Sequence, residues 1–229
     1  MENNRFKNIV LNIPHSSCVI PLNTWNENID DEIWKWTDWN TDVLFYSNLI
    51  QVKPVVFPVS RFFCDFERLE YDPLGKQGQG IYYTKFGNKT RTPDYGTEEY
   101  AMKLYDIHKD YINSFIDKKT LLIDCHSFPE EVAPNVDICI GYNEDWSKPS
   151  QELIDKVVNH FLDAGYNVDI NSPYSNSRTP KDSNDYKSIM IEVNKRCYLF
   201  ADNTMTRKGY DLNHLINYLY KNILFQWSY

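Results

Sequence analysis

The sequence predicts a layered α/β protein, and three observations carry that prediction. Short apolar runs rich in Val, Ile and Leu alternate with helical patterns, no Gly/Ser linker or internal repeat divides the chain, and 42% of its 229 residues are hydrophobic against 24% charged. This balance reads as one folded domain over residues 1–229.

The elements follow in chain order. Residues 8–13 (NIVLNI) form a short apolar strand, and residues 31–50, which open with acids, form a helix. Two further strands are expected over residues 55–59 and 62–66. Residues 72–95 mix glycine, proline and threonine and read as a long surface loop. Residues 98–116 repeat large apolar side chains every three or four positions, the spacing of a helix with one buried face. Strands over 121–125 and 137–141 come next, then a helix over 150–164 with Ser150 as its cap and Gly165 as its stop. A strand over 167–170, a polar loop over 171–187 with two prolines, a strand over 188–193 and a helix over 211–225 complete the chain. Loops of this length in a compact domain more often cover a substrate than decorate the surface.

Composition excludes several functions. The formal charge of −8 repels a polyphosphate backbone, so nucleic acid is not the expected partner. No apolar run approaches the roughly 20 residues of a membrane span, and the first residues lack the apolar core of a secretory signal, so a cytoplasmic location is expected. The five cysteines are scattered without a CxxC pair, which points to small core hydrophobes rather than disulfides or a zinc knuckle. The aromatic content of 15% suits core and groove lining better than a carbohydrate surface.

Chemistry gathers where predicted strands end, the edge at which open α/β sheets place their sites. The first strand runs into Pro14, His15, Ser16 and Ser17; the strand over 121–125 runs into His126 and Ser127; Glu192 lies near the end of the strand over 188–193. Two imidazoles and a carboxylate make the ligand set of a catalytic zinc site, with a fourth position for a water whose pKa falls towards roughly 7. A second carboxylate must then carry the proton, and Glu192 is the candidate. Asp124, two residues before His126, is placed to support that ring. Each histidine taken singly is better explained as a loop or core hydrogen-bonder, and only the pair together favours a ligand role; His108, His160 and His214, in helical patterns, are read as structural or solvent-facing. Ser16 or Ser127 as a nucleophile is disfavoured, because no G-x-S-x-G elbow is present.

These segments also resemble a known family, the N-formylglutamate amidohydrolases. The resemblance is carried, in the family's order, by IPHSSCVIP (13–21), TDW (37–39), VSRFFCDFER (59–68), DCHS (124–127), NSPYS (171–175) and IMIEVNKRCYL (189–199). It implies a relative of the zinc carboxypeptidases and acylases: a three-layer α/β/α sandwich with a mixed, mostly parallel central sheet, holding one Zn2+ per chain. Transferred residue by residue, it implies His15, Asp38 and His126 as metal ligands. The acid is open to an alternative. Related peptidases carry theirs three residues after the first histidine, where this chain has Cys18, and Asp42 lies one helical turn beyond Asp38.

Arg61 and Arg68 supply guanidinium forks suited to a planar carboxylate, with an ion pair among Asp65, Glu67 and Arg68 as the plain alternative. By resemblance, Arg68 holds the carboxylate of the N-acylated amino acid and Asp65 buttresses it; in the expected mechanism zinc and a nearby arginine, Arg61, steady the developing oxyanion, and Arg61 or Arg178 is placed to help Arg68. Two departures stand out: Glu67 replaces the family's Asn, and Asn176, Ser177 and Arg178 replace a glycine pair. Arg178 is read either as a compensating anion contact or as a solvent-exposed loop residue. The expected activity is zinc-dependent hydrolysis of the N-acyl, in particular N-formyl, amide of an acidic amino acid such as N-formylglutamate. The alternatives are another N-acyl amino acid or short peptide as substrate, or a catalytically silent binder of a small ligand.

Overall fold

The computed structural model describes residues 6–179 and 186–225, so part of the loop expected over 171–187 lies outside the described residues. In chain order the strands are β1 (Asn8–Ile13), β2 (Val52–Val56), β3 (Lys85–Phe86), β4 (Lys89–Thr90), β5 (Thr120–Phe128), β6 (Ile138–Gly141), β7 (Val168–Ile170) and β8 (Lys187–Asn194). The helices are α1 (Asp30–Trp36), α2 (Thr41–Leu44), α3 (Tyr95–Asn113), α4 (Gln151–Asp163) and α5 (Arg207–Phe225). β3 and β4 form a small hairpin, and the other six strands make one sheet in the order β2-β1-β5-β8-β6-β7. β2, β1, β5 and β8 run parallel, β6 is antiparallel to β8, and β7 is parallel to β6, giving a mixed, mostly parallel sheet. β2 is an edge strand, which is why Pro54 is tolerated within it.

The central strands read as continuous apolar runs because helices cover both faces of the sheet. Along β5, side chains alternate. Leu121, Ile123 and Cys125 join Ile9, Leu11 and Ile13 in a core with Val157 and Phe161 of α4 and Ile216 and Leu219 of α5. Leu122 joins Val10 in a second core with Ala101, Tyr105 and Ile112 of α3. This is the three-layer α/β/α arrangement. Asp124 and His126 continue the Leu122 row, so the same alternation that packs the core turns polar where β5 nears its end.

Two expectations are corrected. The helix over 31–50 breaks: α1 stops at Thr37, whose backbone is extended, and Asn40 takes a left-handed φ of 59° before α2 begins. Asparagine tolerates that conformation better than most residues. Residues 62–66 form turns rather than a strand, although all five are buried. Their carbonyls find side-chain donors instead of a neighbouring strand: Trp25 Nε1 and Arg91 Nη2 both donate to the Phe62 carbonyl, and Arg91 Nη1 donates to that of Phe63. Helix starts move where caps dictate. Asp94 caps α3 through the Thr97 amide at 2.9 Å, ahead of the expected Glu98, whereas Ser150 caps α4 as the sequence predicts.

His108 on α3 is structural, as expected. Its ring lies edge-on to Phe57 and Phe66, at 4.8 and 4.3 Å between centroids. Burial, with the nearby Arg178 charge, depresses its pKa to about 4. The unfolded chain therefore binds a proton in the window from about 6.5 down to about 4 that the folded chain refuses, and stability falls as pH falls through it. The effect is on the order of 3 kcal/mol. Denaturant melts from pH 4 to 7 should therefore show a shallower pH slope for His108→Phe than for the parent, and equal slopes would refute this account.

Candidate active site

His15 follows β1 directly, because Pro14 lacks the amide that would extend the ladder. Its carbonyl accepts the Asp38 amide at 2.9 Å, which ties the break between α1 and α2 to the end of β1. His126 sits on β5 directly opposite Glu192 of β8, so their side chains emerge on the same face. Two turns and two adjacent strands thus deliver two imidazoles and two carboxylates to the carboxyl edge of the sheet.

The rings of His15 and His126 lie 5.1 Å apart between centroids. Both present Nδ1 to the same oxygen: Asp38 Oδ2 is 3.7 Å from His15 Nδ1 and 3.3 Å from His126 Nδ1. Each ring has a carboxylate at its other nitrogen. His15 Nε2 donates to Asp65 Oδ1 at 2.7 Å, and His126 Nε2 lies 3.2 Å from Asp124 Oδ1, not aligned as a hydrogen bond. Asp124 is itself held by Asn12 Nδ2 and by the Arg178 amide, both at 2.8 Å. A carboxylate behind each imidazole is the arrangement that, with a cation at Nδ1, keeps the ring proton on Nε2.

Burial and charge act against each other here. Burial pushes the Asp38 carboxyl up, but the His126 and His15 rings beside it outweigh that and hold the group ionised. For His126, burial opposes the charged ring, yet Asp124 and Glu67 raise its pKa well above the ordinary value. Glu192 is pushed up to about 8, chiefly by burial, with Asp38, Asp124 and Glu67 adding to the rise against the attraction of His126. Asp65 stays far below the carboxylate range because His15, Arg61 and Arg68 outweigh its burial.

The donors fit a divalent cation. His15, Asp38 and His126 each offer one atom within 4.8 Å of the others, all three are buried, and His15 Nδ1 has no hydrogen-bond partner. Such a set, with its supporting carboxylates, matches what zinc accepts. Asp38 and His126 of this cluster line a cleft of about 360 Å³, with Glu192, Arg61 and Arg68 also on its walls. Aromatic rings of Trp36, Tyr83, Phe86 and Tyr174 complete the lining.

Several sequence assignments change. Asp42 is exposed on α2, beyond the break, and does not join the cluster, which leaves Asp38 as the acid at the histidines. Arg178 neither lines the cleft nor faces solvent. Its guanidinium is buried 4.0 Å from the Phe66 ring centroid, and Nη2 donates to Tyr105 Oη at 2.8 Å. Its backbone amide, not its side chain, serves the site, through Asp124. Asp65 lies behind the cleft rather than on it. One oxygen receives His15, and the other receives Tyr83 Oη and, at 3.2 Å, Arg61, with Arg68 Nε at 3.6 Å. Glu67, read from the sequence only as a departure, lines the cleft with Oε2 at 3.3 Å from His126 Nε2.

A central mixed sheet with two histidines and two carboxylates gathered at its carboxyl edge defines the class as an α/β protein with a buried polar cleft at the sheet edge. The sequence pattern of the N-formylglutamate amidohydrolases matches residues 7–199, and the chain belongs to that family. It is a family of hydrolases acting on amide bonds. Among solved structures, the N-formylglutamate amidohydrolase of Ralstonia eutropha JMP134 superposes with a TM-score of 0.78 at 15% identity, over 97% of this chain and 93% of the other. A gene product of Agrobacterium tumefaciens superposes with a TM-score of 0.64 at 17% identity, over 97% and 94%. No curated protein matches the chain.

Proposed function

We propose that this cleft hydrolyses the amide of an N-acyl amino acid in a zinc-dependent reaction, the acyl group being formyl and the amino acid acidic, as in N-formylglutamate. One observation carries the reading: imidazoles more than a hundred residues apart in sequence, one following β1 and one on β5, present Nδ1 to the same Asp38 oxygen, with Glu192 beside them.

His15, Asp38 and His126 would hold the cation. When bound, it supplies Lewis acidity to the amide carbonyl and to the attacking water. Glu192 takes the proton from that water and returns it to the departing nitrogen, so formate and the free amino acid leave. A carboxyl pushed up to about 8 by burial is a competent proton donor at that second stage, and a nearby cation favours its ionised form for the first. Arg61, on the cleft wall, faces the carbonyl oxygen as negative charge develops there. Arg68 fixes the amino-acid carboxylate, and its contribution is to positioning.

The test is release of amino acid from N-formylglutamate by purified protein before and after chelation, repeated with Arg68→Ala. We expect activity that chelation removes and zinc restores. Arg68→Ala should raise KM roughly 10- to 100-fold, the loss of a charge-assisted contact worth about 1.5–3 kcal/mol, with little change in kcat. Activity that survives complete chelation contradicts the zinc assignment, and equal losses on carboxyl-amidated analogues contradict the role of Arg68.

A further inference from the structure

We propose that His126 serves two cations, one through each ring nitrogen, and that Nε2 together with Glu67 and Asp124 forms a second divalent-cation site on the cleft wall. Glu67 Oε2 and Asp124 Oδ1 lie 3.3 and 3.2 Å from Nε2, and the three donor atoms fall within 4.8 Å of one another. The His126 ring is 4% exposed, and its Nε2 has no hydrogen-bond partner although it is aimed between two carboxylates. Glu67 Oε2 is likewise buried without one. The two atoms meet as an ion pair at 3.3 Å without the alignment of a hydrogen bond, and a shared cation would coordinate both at once.

Charge on the cleft points the same way. Asp38, Glu67 and Glu192 line it, with Asp65 and Asp124 directly behind. Against these carboxylates, of which Glu192 holds its proton near neutrality, stand Arg61 and Arg68, both already facing Asp65, with Arg68 facing Asp72 as well at 3.7 Å, and Lys195, whose charge acts on Asp38 and Glu192. Among the described residues, the ion pair that Glu67 makes is with His126. On the reading given above, the substrate brings further carboxylate into this surplus. A cation at Glu67 converts the repelling stretch of wall into one that receives an anionic group. Binding there would release the Nε2 proton to solvent, in addition to any proton that the first site releases from Nδ1.

The experiment is titration of the metal-free full chain with Zn2+, read as equivalents bound and protons released, for the parent, Glu67→Gln and Asp38→Asn. Two equivalents are expected for the parent and one for each variant. The parent should also show one more proton released than Glu67→Gln. A parent that saturates at one equivalent, unchanged in Glu67→Gln but lost in Asp38→Asn, overturns the second site and leaves the first intact. A folded parent that binds none overturns both. With N-formylglutamate, the KM of Glu67→Gln should depend less steeply on added Zn2+ than that of the parent, and an identical dependence would count against the site's contact with the ligand.

Discussion

Glu192→Gln is expected to lower kcat by roughly 10²- to 10⁴-fold, the usual contribution of a positioned acid–base group, while bound zinc stays at the parental level. The substitution keeps the shape of the side chain and removes its ability to take up and return a proton. Glu192 stands apart from the cluster of His15, Asp38 and His126, so the metal should be unaffected. Its position opposite His126 on the neighbouring strand puts it beside that cluster without joining it. Steady-state kinetics combined with metal analysis of the same preparation decides the matter. Normal turnover would remove Glu192 from the proton-carrying role.

His126→Ala is expected to abolish metal retention and activity together. The loss of affinity should exceed the roughly 10- to 100-fold that a lost supporting partner costs, because a donor itself is deleted. The deletion also leaves Asp38, Asp124 and Glu67 facing one another without the imidazole between them, so the buried carboxylates repel. Circular dichroism of the variant separates this outcome from unfolding. A folded His126→Ala protein that retains zinc and hydrolyses substrate would contradict the ligand assignment.

Much of the site's frame was legible in the sequence. β1 is found where the apolar run over residues 8–13 puts it, and β5 and β8 extend the expected runs by a few residues. Strand periodicity is a local property, and His15, His126 and Glu192 are placed by where those runs end. The family motifs likewise needed only order and spacing. What escaped was set by contacts distant in sequence. A continuous helix over 31–50 made Asp38 and Asp42 near equivalents, and it breaks where the Asp38 amide binds the His15 carbonyl. Residues 62–66 carry the composition of a strand, but Trp25 and Arg91 take their carbonyls. Arg178 reads as a loop residue, yet aromatic rings of the Phe66 turn and of α3 bury it.

Glu67 marks the same boundary most sharply. As a letter beside Arg68 it read only as a departure from the family's motif; beside His126 Nε2 it becomes a candidate ligand. By itself the sequence determined the layered α/β architecture, the strand ends that carry the two histidines and Glu192, and the family, because each is written in periodicity or motif order. Tertiary structure decided which acid meets the histidines, which arginine reaches the cleft, and which carboxylates stand behind each ring. Those depend on directions of side chains brought together from separate elements, and directions are fixed only when the elements pack.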